Sequence, residues 1–222
     1  MSDLKRRWLF IDMDGTIAEW KPSESVAFED LYEQGYFLNL LAYEPVVQAI
    51  TLLMKVHPDV EIHILSSYLT DSAYALSEKN EWLDRHLSIS EVYRHFCPST
   101  KSKPEFIREI YGSIAENDFL LDDYSVNLHD WKDAGGTGIK LMNGVNGTVG
   151  TWKGATVSRF DEAEQIMQNI YDTICAVPVR KTRKSTMKKG CCYCEAMRLN
   201  RCPDAFSEKS QYCGSFDLSE MP

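Results

Sequence analysis

Two aspartates stand two residues apart where a short apolar run ends. In the segment FIDMDGT, Asp12 and Asp14 follow the run RWLFI, and Gly15 comes directly after them. A carboxylate in such a position can attack phosphorus and form an aspartyl-phosphate intermediate. A second carboxylate two residues on can protonate the leaving alkoxide, and Gly15 permits the tight turn that aims both side chains. The pattern favours phosphoryl-transfer chemistry.

Other residues that could bind phosphate or a metal stand beyond further apolar runs. They comprise two more carboxylates, two hydroxyls and a lysine pair: Asp122, Asp123, Ser66, Ser67, Lys101 and Lys103. If the runs are parallel strands, their carboxyl ends meet at one edge of the sheet, where ligands bind in open α/β folds. A cluster of carboxylates there needs a counter-charge, and Mg²⁺ together with a phosphate group suits such oxygen ligands.

Strand-like runs and helical periodicity alternate along the chain. The expected strands cover 7–11, 60–65, about 92–96, 118–121 and 139–142, and the expected helices cover 45–56, 71–86, 104–111 and 161–174. Asp71 is the expected N-cap of the second helix. This alternation predicts an α/β fold with a mostly parallel sheet flanked by helices on both faces.

Charge divides the chain into a body and a tail. Residues 176–222 contain nine Lys/Arg and five Asp/Glu, a net charge of +4, whereas the whole chain carries −9. The acidic balance argues against a general nucleic-acid binder, and no apolar run approaches the ~20 residues of a membrane helix. With no signal peptide evident in MSDLKRRWLF, we expect a cytoplasmic protein without a membrane partner. Its main domain would cover 1–176, followed by a basic, Cys-rich, flexible tail over 177–222.

Four motifs resemble those of the haloacid dehalogenase-like (HAD) phosphohydrolases, and they occur in the same order. DMDGT (12–16) resembles the first motif, ILSS (64–67) the second, the lysine of KPEFI the third and LLDD (120–123) the fourth. The match spans about residues 7–175. The resemblance implies a Rossmann-like core, Mg²⁺ as the cofactor and hydrolysis of a phosphomonoester.

Three further segments resemble the type C 5′(3′)-deoxyribonucleotidase branch of that superfamily. They are GYFLNLLAYEPVVQAI (35–50), KNEWLDRHL (79–87) and a stretch over 120–144 that begins with LLDD. This closer resemblance implies that the substrate is a (deoxy)nucleoside monophosphate and the activity that of a 5′-nucleotidase.

The resemblance assigns roles to two residues of the first motif and to two of the second. Asp12 would be the nucleophile and a Mg²⁺ ligand. Asp14 would be the general acid and base, with its backbone carbonyl on the metal. Ser66 would bind the transferring phosphoryl group, with Ser67 beside it.

The third and fourth motifs leave two choices open. Lys103 would offset the charge of phosphate and nucleophile; it directly precedes the helix-opening Pro104, but Lys101 competes for the same role. Asp123 would be the direct fourth-motif metal ligand with Asp122 supporting it, and the reverse assignment also stands.

A small cap is expected over 17–44, between the first motif and the next core helix. Its aromatic side chains could stack on a nucleobase or pack in the core: Trp20, Phe28, Tyr32, Tyr36 and Phe37. The segment is short for a full helical cap, which would leave the site more open.

Other functions remain open at this point. The chain could be a phosphatase for another small metabolite or for a nucleic-acid end. It could also be a non-catalytic protein that binds zinc, a partner or RNA through the basic tail, whose thiols could supply a zinc site. These thiols are Cys191, Cys192, Cys194, Cys202 and Cys213.

Overall fold

One six-stranded sheet organises the residues that the computed structural model describes, which are 7–20, 27–145 and 150–178. Its strands are β1 (Arg7–Ile11), β2 (Val60–Tyr68), β3 (Arg94–Pro98), β4 (Asp118–Asp122), β5 (Thr137–Met142) and β6 (Ala155–Ser158). They lie in the order β3-β2-β1-β4-β5-β6, and every neighbouring pair is parallel. The predicted α/β fold with a parallel, Rossmann-like sheet is confirmed.

Helices cover both faces of this sheet. They are α1 (Glu44–Val56), α2 (Ala75–His86), α3 (Lys103–Tyr111), α4 (Ser125–Asp133) and α5 (Ala163–Ala176). Because successive strand residues point to opposite faces, Leu9 and Ile11 of β1 join a core with α1, α2 and α5. Phe10 joins a second core with α3 and α4. The central strand is therefore buried on both faces, as its continuous apolar run predicts.

The second helix begins later than the sequence predicts. α2 starts at Ala75, so the expectation of a helix from 71 with Asp71 as its N-cap is wrong. The Ser72 hydroxyl instead accepts a hydrogen bond from the backbone N–H of Ala75 at 3.2 Å. Asp71 accepts one from the Tyr32 hydroxyl at 3.1 Å. The N-cap residue is Tyr74, whose side chain makes no capping hydrogen bond, and Ser72 satisfies a backbone N–H from the preceding turn.

Two elements on the β5 side of the sheet were not expected. α4 buries only Leu128 and Trp131, so its apolar face is too narrow to stand out in the sequence. β6 is a four-residue strand at the edge of the sheet. In addition, β2 continues through Ser66 and Ser67 to Tyr68, so both serines belong to the strand itself.

A buried histidine pair joins β2 and β3 away from the ends that carry the acidic residues. His63 Nδ1 and His95 Nε2 lie 3.0 Å apart, and His63 Nε2 lies 3.1 Å from Glu61 Oε1. The Tyr111 hydroxyl lies 3.2 Å from His95 Nε2. These contacts agree with a structural role for both histidines. Burial, reinforced by His63, lowers the pKa of His95 to about 3.

No helix among the described residues is long and apolar enough to cross a membrane. The predictions of a flexible tail and of zinc binding by its cysteines concern positions 179–222, which lie outside the described residues.

Candidate active site

Three carboxylates meet where β1 and β4 end. Asp12 directly follows β1, Asp122 is the last residue of β4, and Asp123 follows it. The backbone N–H of Asp12 donates to the carbonyl of Leu121 at 2.9 Å, which holds the two strand ends level. All three side chains are buried, and each offers an oxygen within 4.8 Å of the others. The parallel register thus produces the acidic cluster that the sequence predicts.

Lys103 supplies positive charge inside this cluster. Its ammonium donates to Asp12 Oδ1 and to Asp122 Oδ2, each at 2.6 Å. Burial lowers the pKa of Lys103, but the carboxylates of Asp12 and Asp122 more than offset this and raise it overall. The lysine is held there by the start of α3, where the Ser102 hydroxyl caps the helix by accepting from the N–H of Glu105.

Lys101, the competing lysine, points elsewhere. Its ammonium pairs with the carboxylate of Glu109 at 2.7 Å on the surface. The structure therefore brings Lys103, and not Lys101, to the carboxylates.

Asp122 is held on both of its carboxylate oxygens. Oδ1 accepts from the backbone N–H of Tyr124 at 2.8 Å. Oδ2 accepts from Lys103 and, at 2.9 Å, from the amide of Asn127. Burial raises the pKa of Asp122 to about 6, although Lys103 opposes the rise. These contacts fix Asp122 in one orientation.

Asp123 belongs to a network that also fixes the turn of the first motif. Asn143 Nδ2 donates to Asp123 Oδ2 and to the carbonyl of Gly15, each at 2.8 Å. The hydroxyl of Thr16 accepts from the backbone N–H of Asp123 at 3.2 Å. Gly15 has φ +79°, and a Cβ there would lie 2.7 Å from Asp123 Cγ. Glycine is thus required both by the backbone conformation and by the approach of Asp123.

Lys140, buried on β5, supports the same loop from the other side. Its ammonium donates to the carbonyl of Asp123 and to the hydroxyl of Ser125, each at 2.8 Å. Burial lowers its pKa. The start of α4 is therefore tied to the strand next to it.

A second lysine, which the sequence analysis did not select, connects the first two motifs. Lys79 of α2 is fully buried and forms an ion pair with Asp14 Oδ2. It also donates to Ser66 Oγ at 2.9 Å and to the carbonyl of Ser67 at 2.8 Å. The predicted phosphate-binding serine and the predicted general acid thus share one cation.

Asp14 stands apart from the three clustered carboxylates. Its side-chain carboxylate is not in that group, whereas the role expected for it on the metal concerns its backbone carbonyl. Burial raises its pKa most, the Lys79 ammonium opposes the rise, and the charge of Asp12 adds to it. Its Oδ1 is buried and has no hydrogen-bond partner among the described residues. Oδ2 of Asp14 is therefore paired with Lys79, and Oδ1 is available to a bound molecule.

Lys79 carries a signal that sequence reasoning could have used. Buried positions of α2 recur at helical spacing and include two charged residues: Ala75, Glu78, Lys79, Trp82 and Leu83. A lysine on the apolar face of a helix is almost never buried without a partner. Asn143 and Lys140 carry no comparable signal, because their partners are defined only by the turns after β4 and β5.

The aromatic residues of the segment 17–44 divide between core and surface. Phe37 is buried in the main core and lies below the Lys79 ammonium, which is 4.8 Å from the ring centre. Tyr36 packs against the same core, whereas Phe28 is 63% exposed and contacts Tyr32 edge-on. Trp20 is half-buried. Core packing thus accounts for Phe37 and leaves Phe28 as exposed aromatic surface.

Comparison with solved structures finds the same fold in two bacterial enzymes. One is a D,D-heptose 1,7-bisphosphate phosphatase from Burkholderia thailandensis, with 13% identity and a TM-score of 0.52. The other is the D,D-heptose 1,7-bisphosphate phosphatase from B. bronchiseptica complexed with magnesium and phosphate, with 15% identity and a TM-score of 0.54. Each comparison covers 75% of this chain and 99% of the other. No protein-family model and no curated protein matches the sequence.

Proposed function

We propose that this protein is a Mg²⁺-dependent phosphomonoester hydrolase that works through an aspartyl-phosphate intermediate. The observation that carries the proposal is the position of Lys103 Nζ, 2.6 Å from both Asp12 and Asp122, at the point where Asp123 completes a carboxylate cluster. A nucleophilic carboxylate, a buried cation and an acidic metal site are the parts that in-line phosphoryl transfer requires. The shared fold with two sugar-phosphate phosphatases agrees with this proposal.

The donor set suits magnesium. The clustered side chains, Asp12, Asp122 and Asp123, offer oxygens within 4.8 Å of one another, and hard divalent cations prefer such ligands. The single charge of Lys103 does not balance three carboxylates. Bound Mg²⁺ would supply the remaining positive charge and stabilise the charge on the transferring phosphoryl group.

Between the two aspartates at the end of β4, Asp122 and Asp123, Asp123 is the better candidate for the direct ligand. Both oxygens of Asp122 already accept hydrogen bonds from Lys103, Tyr124 and Asn127. We therefore assign Asp122 to holding Lys103 and Asp123 to the metal.

In the first step, a carboxylate oxygen of Asp12 attacks phosphorus while the ester P–O bond breaks. Asp14 gives its proton to the departing alkoxide, and its raised pKa favours the protonated form that this donation needs. Lys103 stabilises the charge on Asp12 and the phosphoryl oxygens. Ser66, with Ser67 beside it, binds one of those oxygens.

In the second step, water attacks the aspartyl-phosphate. Asp14, now ionised, takes the proton of that water, and the Asp12–phosphate bond breaks to release inorganic phosphate. The proton returns Asp14 to its starting form, so the cycle closes without any other reactant. Lys79, which contacts both Asp14 and Ser66, would keep the acid and the phosphate site in register.

For the substrate, we propose a (deoxy)nucleoside monophosphate. The segments that resemble deoxyribonucleotidases, 35–50, 79–87 and 120–144, contain residues that line this site. Among these residues are Lys79, Asp123 and Asn143. The exposed ring of Phe28 adds apolar surface on the cap that could contact a base.

A phosphorylated sugar is the second candidate substrate. The two solved structures of the same fold are both phosphatases for a heptose bisphosphate, which favours this class. Phosphate release from a panel of nucleoside monophosphates, sugar phosphates and 5′-phosphorylated oligonucleotides, each with Mg²⁺, separates the alternatives. A preference of at least tenfold in kcat/KM for nucleotides would support the nucleotidase proposal, and the opposite preference would overturn it.

We further propose that 1–176 is the catalytic domain, with 17–44 as its cap, and that the tail at 177–222 is dispensable for turnover. Every site residue named above lies between positions 12 and 143. Deletion of 179–222 should leave kcat/KM unchanged within twofold. A protein whose function is binding through the tail would instead show no turnover before the deletion and lose its partner after it.

A further inference from the structure

Tyr36, which packs against Phe37 in the turn before α1, has a buried hydroxyl. The oxygen has no hydrogen-bond partner among the described residues, and the same is true of Asp14 Oδ1. Leaving a buried polar group without a hydrogen bond is unfavourable. Two such atoms next to one reaction centre indicate a place where another molecule completes the hydrogen bonds.

The two atoms belong to one neighbourhood. Burial raises the pKa of Tyr36, and the negative charge of Asp14 adds to the rise. The Tyr36 ring packs edge-on against Phe37 at 5.0 Å between centres, and Phe37 in turn lies below Lys79, the partner of Asp14. The tyrosine is thus connected to Asp14 through two intervening residues, Phe37 and Lys79.

Glu78 fixes the turn that carries this tyrosine. Its carboxylate is buried and accepts hydrogen bonds from the backbone N–H groups of Gly35, Phe37 and Leu38. Glu78 is adjacent in sequence to Lys79, so neighbouring residues of α2 hold the cap turn and the catalytic acid. A carboxylate that satisfies three N–H groups binds the turn firmly, because charge-assisted hydrogen bonds are the stronger ones.

We propose that Tyr36 is a specificity-determining residue, whose hydroxyl donates a hydrogen bond to an oxygen of the substrate's leaving group while Asp14 Oδ1 faces the ester oxygen. The inference rests on the proposed phosphomonoesterase function. It assigns the leaving group to alcohols that carry a second oxygen close to the ester, as sugars and nucleosides do. An aryl phosphate, whose leaving group has no second oxygen, cannot make this contact.

The test is Tyr36→Phe, assayed with ribose 5-phosphate and with phenyl phosphate. We expect the ratio of kcat/KM for the sugar ester to that for the aryl ester to fall about fivefold to tenfold, the loss expected from one neutral hydrogen bond. The unfolding temperature without substrate should not fall, because the hydroxyl has no hydrogen-bond partner in the part of the chain that the structure describes. Tyr171→Phe is the matched control, since Tyr171 stacks on His57 before β2, at the opposite ends of the strands.

Three results would overturn the inference. An unchanged ratio in Tyr36→Phe would show that the hydroxyl does not contact the leaving group. A lower unfolding temperature with equal losses on both esters would show a structural role. Failure of the wild-type protein to release phosphate from these two esters and from nucleoside monophosphates would overturn the proposed function itself, and the inference with it.

Glu78→Gln tests whether the hydrogen bonds from the 35–38 turn to Glu78 position Tyr36. The amide keeps the shape of the side chain but accepts weaker hydrogen bonds from the turn. We expect the same ratio to fall by at least twofold, with a smaller effect than in Tyr36→Phe. A ratio equal to that of the wild type would contradict the positioning role of Glu78.

Discussion

Lys103 Nζ and Asp12 Oδ1 lie 2.6 Å apart although 91 residues separate them in the chain. The contact exists because the C-terminal end of β1 and the N-terminal end of α3 lie at the same edge of the sheet. It places a buried cation on the candidate nucleophile, where it can stabilise charge without any rearrangement.

Lys103→Met should lower kcat/KM about 100-fold or more, because it removes the cation that stabilises the transferring phosphoryl group. It should also lower the free energy of unfolding by about 3–5 kcal/mol, since two buried carboxylates lose their partner. That loss should be smaller in Mg²⁺, which supplies replacement charge. Phosphate release and urea denaturation with and without Mg²⁺ measure these effects.

Lys101→Met is the matched control for Lys103→Met. Its pair with Glu109 lies on the surface, so both the stability change and the activity change should be small. Equal effects of the two substitutions would contradict the assignment of Lys103.

Lys79→Met should lower kcat/KM about tenfold or more, because Ser66, the proposed phosphate ligand, and Asp14, the proposed acid, lose their common partner. The loss of a buried ion-pair partner should also destabilise the protein by about 3–5 kcal/mol. Lys79→Arg distinguishes charge from fit, since its larger planar head keeps the charge with a different geometry. Wild-type activity in Lys79→Met would show that this contact plays no part in turnover.

Asp123→Asn should weaken Mg²⁺ binding more than Asp122→Asn, because the Asp122 oxygens are engaged by protein donors. The Mg²⁺ concentration at half-maximal activity, and the rise in unfolding temperature with Mg²⁺, both report this difference. EDTA should abolish turnover and added Mg²⁺ should restore it. Turnover that is independent of metal would rule out the proposed use of the acidic cluster.

The buried His95 should make stability depend on pH. Its pKa falls from an ordinary value of 6.5 to about 3 on folding, so between these values the unfolded chain binds more protons than the folded one. The histidine therefore leaves stability intact above pH 6.5 and reduces it as the pH falls toward 3, by about 1.4 kcal/mol per unit. Between pH 7 and 5 the loss should be about 2 kcal/mol.

His95→Gln should flatten that dependence, as measured by urea denaturation at pH 7 and 5. His129→Gln is the control, because His129 is only partly buried and contacts Thr151. If wild type and His95→Gln lose the same stability over this range, the protonation of His95 does not govern it.

Sequence reasoning found the residues whose positions depend on the local chain. Asp12 and Asp122 follow apolar runs, and each run could be identified as a strand from its composition alone. Parallel pairing then brings their ends together, so the acidic cluster follows from the fold class. The lysine preceding Pro104 was selected for the same reason, because it opens a helix.

The residues that sequence reasoning missed depend on contacts between elements that are distant in the chain. Lys79 is 65 residues from Asp14 and Asn143 is 128 residues from Gly15, so neither distance is encoded in local periodicity. Asp71 was misassigned because a polar residue before an apolar run is a common N-cap, whereas α2 begins four residues later and has Tyr74 as its N-cap. Tertiary packing determines these partners and the start of the helix.

The most direct test of the central claim compares wild type with Asp12→Asn in Mg²⁺-dependent phosphate release from nucleoside monophosphates and sugar phosphates. An amide cannot serve as the nucleophile, so the variant should lose about 10³-fold or more in kcat. Asp59→Asn, an acidic residue at the far end of β2 paired with Arg7, should retain wild-type activity. Turnover by Asp12→Asn at the wild-type rate would contradict the aspartyl-phosphate mechanism.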